Sequence, residues 1–267
     1  MRRTGARPSP GARYIPWSWA AAGAVAGLLI ALIAFAPARW LAAAVASASR
    51  GHVLLADVRG TVWGGSGQLV LTGGPGSTDA AALPGRVAWE LGPRWNGAAA
   101  RFHAACCTPQ PVPVRLRVRP GGLAVDVGDS VSQWPAAITT GLGTPWNTLQ
   151  FDGELRLSTQ GLSVEWVEGR PVVAGRAELV ALRVASRLST LRPMGSYRIT
   201  LQGGTPAGLR LETLEGSLQL AGSGQWVGSR LRFRGEASAA PDREAALANL
   251  LNIIGRRNGP RSIISIG

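Results

Sequence analysis

Val114-Arg-Leu-Arg-Val118 alternates an apolar with a charged side chain at every position. Successive residues of a strand point to opposite faces, so this stretch carries one face for burial and one for water. The pattern returns in Gly153-Glu-Leu-Arg-Leu157, Tyr197-Arg-Ile-Thr-Leu201, Leu209-Arg-Leu211, Ser217-Leu-Gln-Leu220 and Leu231-Arg-Phe-Arg-Gly235, with Gly and Pro between the runs. Parallel strands covered on both faces read as unbroken apolar runs, whereas one-sided alternation belongs to antiparallel hairpins and meanders. The expected fold from Val53 onward is therefore mainly β and antiparallel, a domain over residues 53–267.

Working outward, Leu149-Gln-Phe-Asp-Gly-Glu-Leu-Arg-Leu157, continued to Trp166, resembles the stretch from Leu209 to Trp226. Two related β subdomains divided near residues 135–145 would account for it, as would the self-likeness of any Gly-punctuated meander. One soluble helix is expected over residues 242–254, where Leu247, Leu250, Leu251 and Ile254 recur at spacings of three and four. Pro241 and Asp242 open it, Gly255 with Arg256 and Arg257 closes it, and Ser262-Ile-Ile-Ser-Ile266 is expected to add a final strand.

Toward the N-terminus, residues 17–36 form an uncharged apolar run preceded by Arg2, Arg3, Arg7 and Arg13. About twenty such residues span the hydrocarbon core as a helix, and arginines on one flank hold that flank in the cytoplasm. Leu28, Leu29, Ile30, Leu32, Ile33 and Phe35 would face lipid, with Trp17, Trp19 and Trp40 at headgroup level. This reading makes residues 1–16 a cytoplasmic tail, 17–36 the single membrane-spanning anchor, 37–52 a linker, and the remainder exported. A cleaved signal peptide needs a shorter apolar run; cleavage before Pro37 or Ser47 would leave a soluble protein.

All 28 basic residues are arginine, which points to a residue preference running through the chain. After Trp40, 23 arginines stand against 15 acidic residues and are spread along the strands, as a solvated surface requires. An exported domain of this kind is not expected to bind nucleic acid, although anionic inner-membrane lipids are within its reach. The two cysteines, Cys106 and Cys107, are neighbours. Their alpha carbons lie about 3.8 Å apart, below the usual disulfide span, so a bond between them would be strained; free thiols and a bridge to a partner chain are the alternatives.

The chemistry an enzyme needs is sparse. Without lysine there is no phosphate-loop lysine and no Schiff base. His52 and His103 lack partners at metal-ligand spacing. Gly64-Gly-Ser-Gly67 falls short of a nucleophile elbow because Gln68 stands where the last glycine should be. Asp126, Asp129, Asp152, Glu154 and Glu165 fall near turns or on alternate strand positions, with no acid–base pair set apart. No catalytic residue, metal, cofactor or small-molecule ligand is expected.

Several fragments, taken in order, resemble the protein N component of bacterial type II secretion systems. They are Ala36-Pro-Ala-Arg-Trp40, Gly60-Thr-Val-Trp-Gly64, Leu83-Pro-Gly-Arg-Val-Ala-Trp89, Pro193-Met-Gly-Ser-Tyr197, Glu215-Gly-Ser-Leu-Gln-Leu-Ala-Gly-Ser-Gly-Gln-Trp226, Phe233-Arg-Gly-Glu-Ala237 and Leu247-Ala-Asn-Leu-Leu-Asn-Ile-Ile-Gly255. The resemblance implies a bitopic inner-membrane protein with a periplasmic β-rich domain. It would be a non-enzymatic accessory of the secretion platform, with the other inner-membrane subunits as partners. Gly60, Trp63, Trp89, Gly195, Tyr197, Gly216, Gly224, Trp226 and Gly235 would then be turn and core positions, glycine for backbone freedom and aromatics for volume. A different reading of the same strands is an anchored periplasmic groove that shields or transfers lipid. It would require a continuous apolar inner face open at one end.

Overall fold

The alternating runs become strands of one antiparallel sheet. The computed structural model describes residues 17–119, 121–167, 170–228 and 230–267; the arginine-rich tail expected at 1–16 lies outside them. The helices are α1 (Trp17–Ala34), α2 (Ala38–Ala48), α3 (Trp146–Leu149) and α4 (Glu244–Ile254), with a 3-10 helix at Ala136–Leu142. The first strands are β1 (Val53–Gly60), β2 (Gly64–Thr72), β3 (Ala80–Ala82), β4 (Val87–Arg94), β5 (Gly97–Ala104), β6 (Val112–Arg119), β7 (Gly122–Val127) and β8 (Ser130–Pro135). They are followed by β9 (Asp152–Val167), β10 (Arg170–Ala185), β11 (Gly195–Gln202), β12 (Gly208–Gly216), β13 (Leu218–Val227), β14 (Arg230–Ala239), β15 (Arg256–Asn258) and β16 (Arg261–Ile266).

The chain forms two units, one ending at Ala36 and one running from Pro37 to Gly267. In the first, α1 has no buried residue and is long and apolar enough to cross a membrane, with a mean hydropathy of 1.9. In the second, the strand order is β1-β2-β4-β5-β6-β7-β9-β10-β11-β12-β13-β14-β16-β15, with β3 on β2 and β8 on β9. Among the described residues β1 and β15 do not pair, so the sheet is open.

Three features depart from the sequence reading. The expected linker is largely α2, an amphipathic helix belonging to the sheet-bearing unit. The expected division near 135–145 does not separate two subdomains. The 3-10 helix and α3 leave the sheet there, but β9, 16 residues long, carries the ladder across: its first half pairs with β8, its second with β7, and β10 runs along its other edge. The two similar stretches also differ in topology, since one is the single strand β9 and the other the hairpin β12–β13. Finally, α4 starts two residues late, because Asp242 sits at φ 61 in the left-handed region, outside helical geometry.

Register assigns the faces. Leu157 pairs with Leu179, and the row continues through Ile199, Leu211, Gly222, Gly235 and Ile264. The neighbouring row, on the other face, is Val180, Arg198, Glu212, Ala221, Glu236 and Ile263. Each face thus keeps its character across strand after strand. The apolar face is covered by two clusters. Leu247, Leu250 and Leu251 of α4, all 0% exposed, pack with Val184, Met194, Tyr197, Leu218 and Ala237. Burying each such leucine contributes about 2 kcal/mol. Farther along, Leu83, Ala104, Cys107 and Ile138 form a smaller core with Leu69, Leu71, Val87 and Trp134 around it.

Candidate functional site

In an up-and-down meander every second turn falls at the same end of the sheet. The β1–β2, β4–β5, β6–β7, β9–β10, β11–β12 and β13–β14 turns share one end, here termed the rim. The connections that carry the cysteines, the 3-10 helix, α3 and the start of α4 lie at the opposite end, and both core clusters draw on them. The apolar face is consequently covered away from the rim and open toward it. Val118, Leu123, Trp166 and Pro171 stand in one register row across β6, β7, β9 and β10, and the first three are 60%, 37% and 40% exposed.

The other face is a lattice of ion pairs. Arg117 grips both carboxylate oxygens of Asp126, and Arg119 pairs with Glu165. The Arg117 guanidinium is held above its ordinary range by that hydrogen bond. Arg198 lies between Glu178 at 3.4 Å and Glu212 at 3.0 Å, and Arg176 reaches Glu178 at 2.7 Å. These groups are partly exposed, and water screens such pairs so that each stabilises only weakly. Their arrangement serves the solubility and pairing specificity of the strands more than their strength.

The family-like residues divide between core and turns. Trp89 is 2% exposed and its indole Nε1–H donates to the Thr61 carbonyl at 3.2 Å, pinning the β1–β2 turn, where Gly60 has φ 90 and Trp63 is half-buried. Gly195 and Gly216 are paired, and a Cβ on Gly216 would stand 2.2 Å from the Gly195 Cα. Tyr197 is 5% exposed, and burial pushes its phenol well above the ordinary range. Gly224 and Gly235 let Phe233 lie against the sheet, and half-buried Trp226 donates its backbone N–H to the Ala207 carbonyl at 3.0 Å. The structure therefore does not gather these residues into one site. The expected anchor residues Trp17, Trp19, Leu28, Leu29, Ile30, Leu32 and Ile33 are exposed along α1, Phe35 is exposed just after it, and Trp40 on α2 is 50% exposed.

Cys106 and Cys107 are bonded to each other. Cys107 is buried, and its carbonyl accepts the Gln133 N–H at 2.7 Å, so the cysteine turn is stitched to β8. Beside it Thr108 bonds to Ala104 and, at 3.1 Å, to His103 Nδ1; a largely apolar cavity of about 180 Å³ lies there among Phe102, Val112, Trp134 and Leu157. His52 Nδ1 lies 3.2 Å from the Thr72 carbonyl oxygen. Among the described residues no group of three or more His, Cys, Asp or Glu is placed to hold a metal ion.

Sequence reasoning missed Leu83, Met194 and Phe233 as core residues. The first two sit in loops outside the periodic runs. The rim as a shared location was legible only through strand order.

No curated protein and no solved structure matches the chain. Residues 51–264 match the family model for type II secretion system (T2SS), protein N. That span takes in the sheet from the approach to β1 as far as β16. The chain accordingly belongs to the type II secretion system protein N family.

Proposed function

We propose that this protein is a non-catalytic accessory of the type II secretion inner-membrane platform. Its α1 is anchored in the inner membrane, its N-terminus is cytoplasmic and its β domain periplasmic, and its partners are other inner-membrane subunits of the system. The observation that carries the reading is the family match over 51–264 downstream of an apolar helix of spanning length. The non-catalytic part rests on the family alone. The charged face of β12, β13 and β14 offers small residues, Ser223 between Arg210 and Arg234 and Ala221 between Glu212 and Glu236. A partner can approach there without displacing bulky side chains.

Photocrosslinking in native cells tests this, with a photoreactive residue at Ala221, Ser223 or Ile263 on the charged face and at Leu201 or Leu209 on the apolar one. Adducts with other inner-membrane secretion subunits are expected from the charged face. Absence of such adducts, together with normal secretion in cells lacking the chain, would remove the proposal.

The family match gives no support to lipid shielding, but one observation favours it as a second reading: the uncovered apolar row of Val118, Leu123 and Trp166. Lipid adducts from these positions, with no protein partner elsewhere, would favour that alternative.

A further inference from the structure

We infer that the rim of the sheet docks on the headgroup layer of the membrane that α1 spans. This rests on α1 being a membrane anchor and not on the secretion role.

The first observation is where the chain enters the domain. Pro37, the first residue of the sheet-bearing unit, forms an antiparallel bridge with Thr61 in the β1–β2 turn, and so lies at the rim. From Ala34, the last residue of α1, three residues reach roughly 10 Å at full extension. The rim is therefore tethered within about a headgroup layer's thickness of the end of the apolar helix.

The second is what the rim carries. Trp63, Trp95, Trp166 and Trp226 belong to the β1–β2, β4–β5, β9–β10 and β13–β14 turns or the residues next to them, and Trp95 is 95% exposed. Val118, Val167 and Val227 beside the turns are 60%, 48% and 44% exposed. Arg94, Arg170 and Arg230 are exposed at three of these tips and form no ion pair among the described residues. Arg119 at a fourth is already held by Glu165. The opposite end is mixed in sign, with Asp79, Asp152, Glu215, Asp242 and Glu244 beside Arg187 and Arg192. Glu168, in the β9–β10 turn, lies outside the described residues.

The third is continuity. Backbone bonds join neighbouring tips: Leu91 to Trp63, Val118 to Asn96, Gly204 to Val173 and Trp226 to Ala207. The tips form one edge that can meet a surface together.

Indole rings settle where one side is apolar and the other wet, and arginines are drawn to anionic headgroups. A rim carrying exposed Trp95 and Trp166, half-buried Trp63 and Trp226, exposed Val, and Arg that form no ion pair among the described residues, beside a membrane tether, matches that layer. It also places the open end of the apolar face against lipid.

The test uses the full chain in vesicles of phosphatidylethanolamine and phosphatidylglycerol, with a thiol-reactive nitroxide attached one site at a time under non-reducing conditions. Asn96→Cys, Val167→Cys and Val227→Cys report the rim, Thr190→Cys the opposite end, and Leu29→Cys the anchor. Collision with oxygen relative to a nickel chelate is expected to be several-fold higher at the three rim sites than at Thr190→Cys, and higher still at Leu29→Cys. Rim labels as aqueous as the Thr190→Cys label, with Leu29→Cys deep, would overturn the docking and leave the anchor standing. An aqueous Leu29→Cys label would overturn both.

Discussion

The ring of Phe233 lies on Gly222: a Cβ built at residue 222 would stand 2.4 Å from Phe233 Cζ and 2.9 Å from the Gly235 Cα. Aromatic coverage of paired glycines restores buried area that glycine alone forgoes. Gly222→Ala must lift the ring or part the β13–β14 backbones, a cost of about 1–3 kcal/mol. Thermal unfolding should show Tm falling by roughly 2–4 °C per kcal/mol lost. An unchanged Tm would mean the ring is not held there.

Leu250 is fully buried beneath α4, whereas Ile253 is 41% exposed on the same helix. Leu250→Ala should cost about 2–5 kcal/mol by opening a cavity over the sheet, and Ile253→Ala much less. Denaturant titration of the two variants checks the order, and equal losses would place α4 off the core.

Tyr197 is the sole tyrosine of residues 37–267, and its hydroxyl has no hydrogen-bond partner among the described residues. Burial raises its folded-state pKa above the ordinary 10.0. A raised pKa contributes no loss below the unfolded value; as pH climbs past about 10 the unfolded chain releases the proton first, and stability falls. Tyr197→Phe should abolish that part of the alkaline loss. At neutral pH it should leave stability unchanged or raise it by about 1 kcal/mol, because an unpaired buried hydroxyl is removed. Stability against pH for the two proteins is the measurement, and parallel alkaline falls would count against a buried phenol.

Cys107 is 3% exposed within the smaller core, and Cys106 is exposed. Cys107→Ser buries a hydroxyl in an apolar site and should cost about 1–3 kcal/mol, more than Cys106→Ser, although both break the same disulfide. Comparing their melting temperatures separates packing from cross-linking, since a loss common to both would belong to the bond.

A reporter active only in the periplasm should work when fused after Gly267. Cytoplasmic activity there would reverse the proposed orientation.

The strand faces were legible from short runs such as Val114-Arg-Leu-Arg-Val118 because the strand period of two is local: each side chain's face follows from its neighbours. The apolar helix ahead of the domain was equally legible, since spanning length and lack of charge are properties of the segment itself. Residues 37–52 read as a linker because the run is short and alanine-rich, with few large apolar side chains to mark its face; in the structure α2 lies against β1. Phe233 was quoted within a strand, but nothing near it in sequence marks the glycines it covers, because Gly222 belongs to the neighbouring strand.

By itself the sequence determined an antiparallel β domain with one apolar face behind an apolar helix of membrane-spanning length, all carried by periodicity and composition. The tertiary structure alone decided the strand order, the run of β9 across the expected boundary, the covering of the apolar face at one end, and the gathering of Trp63, Trp95, Trp166 and Trp226 at the other. Those features depend on pairings between distant residues, as where Asn147 meets Asp79 across 68 positions, and no local pattern encodes which distant strands will meet.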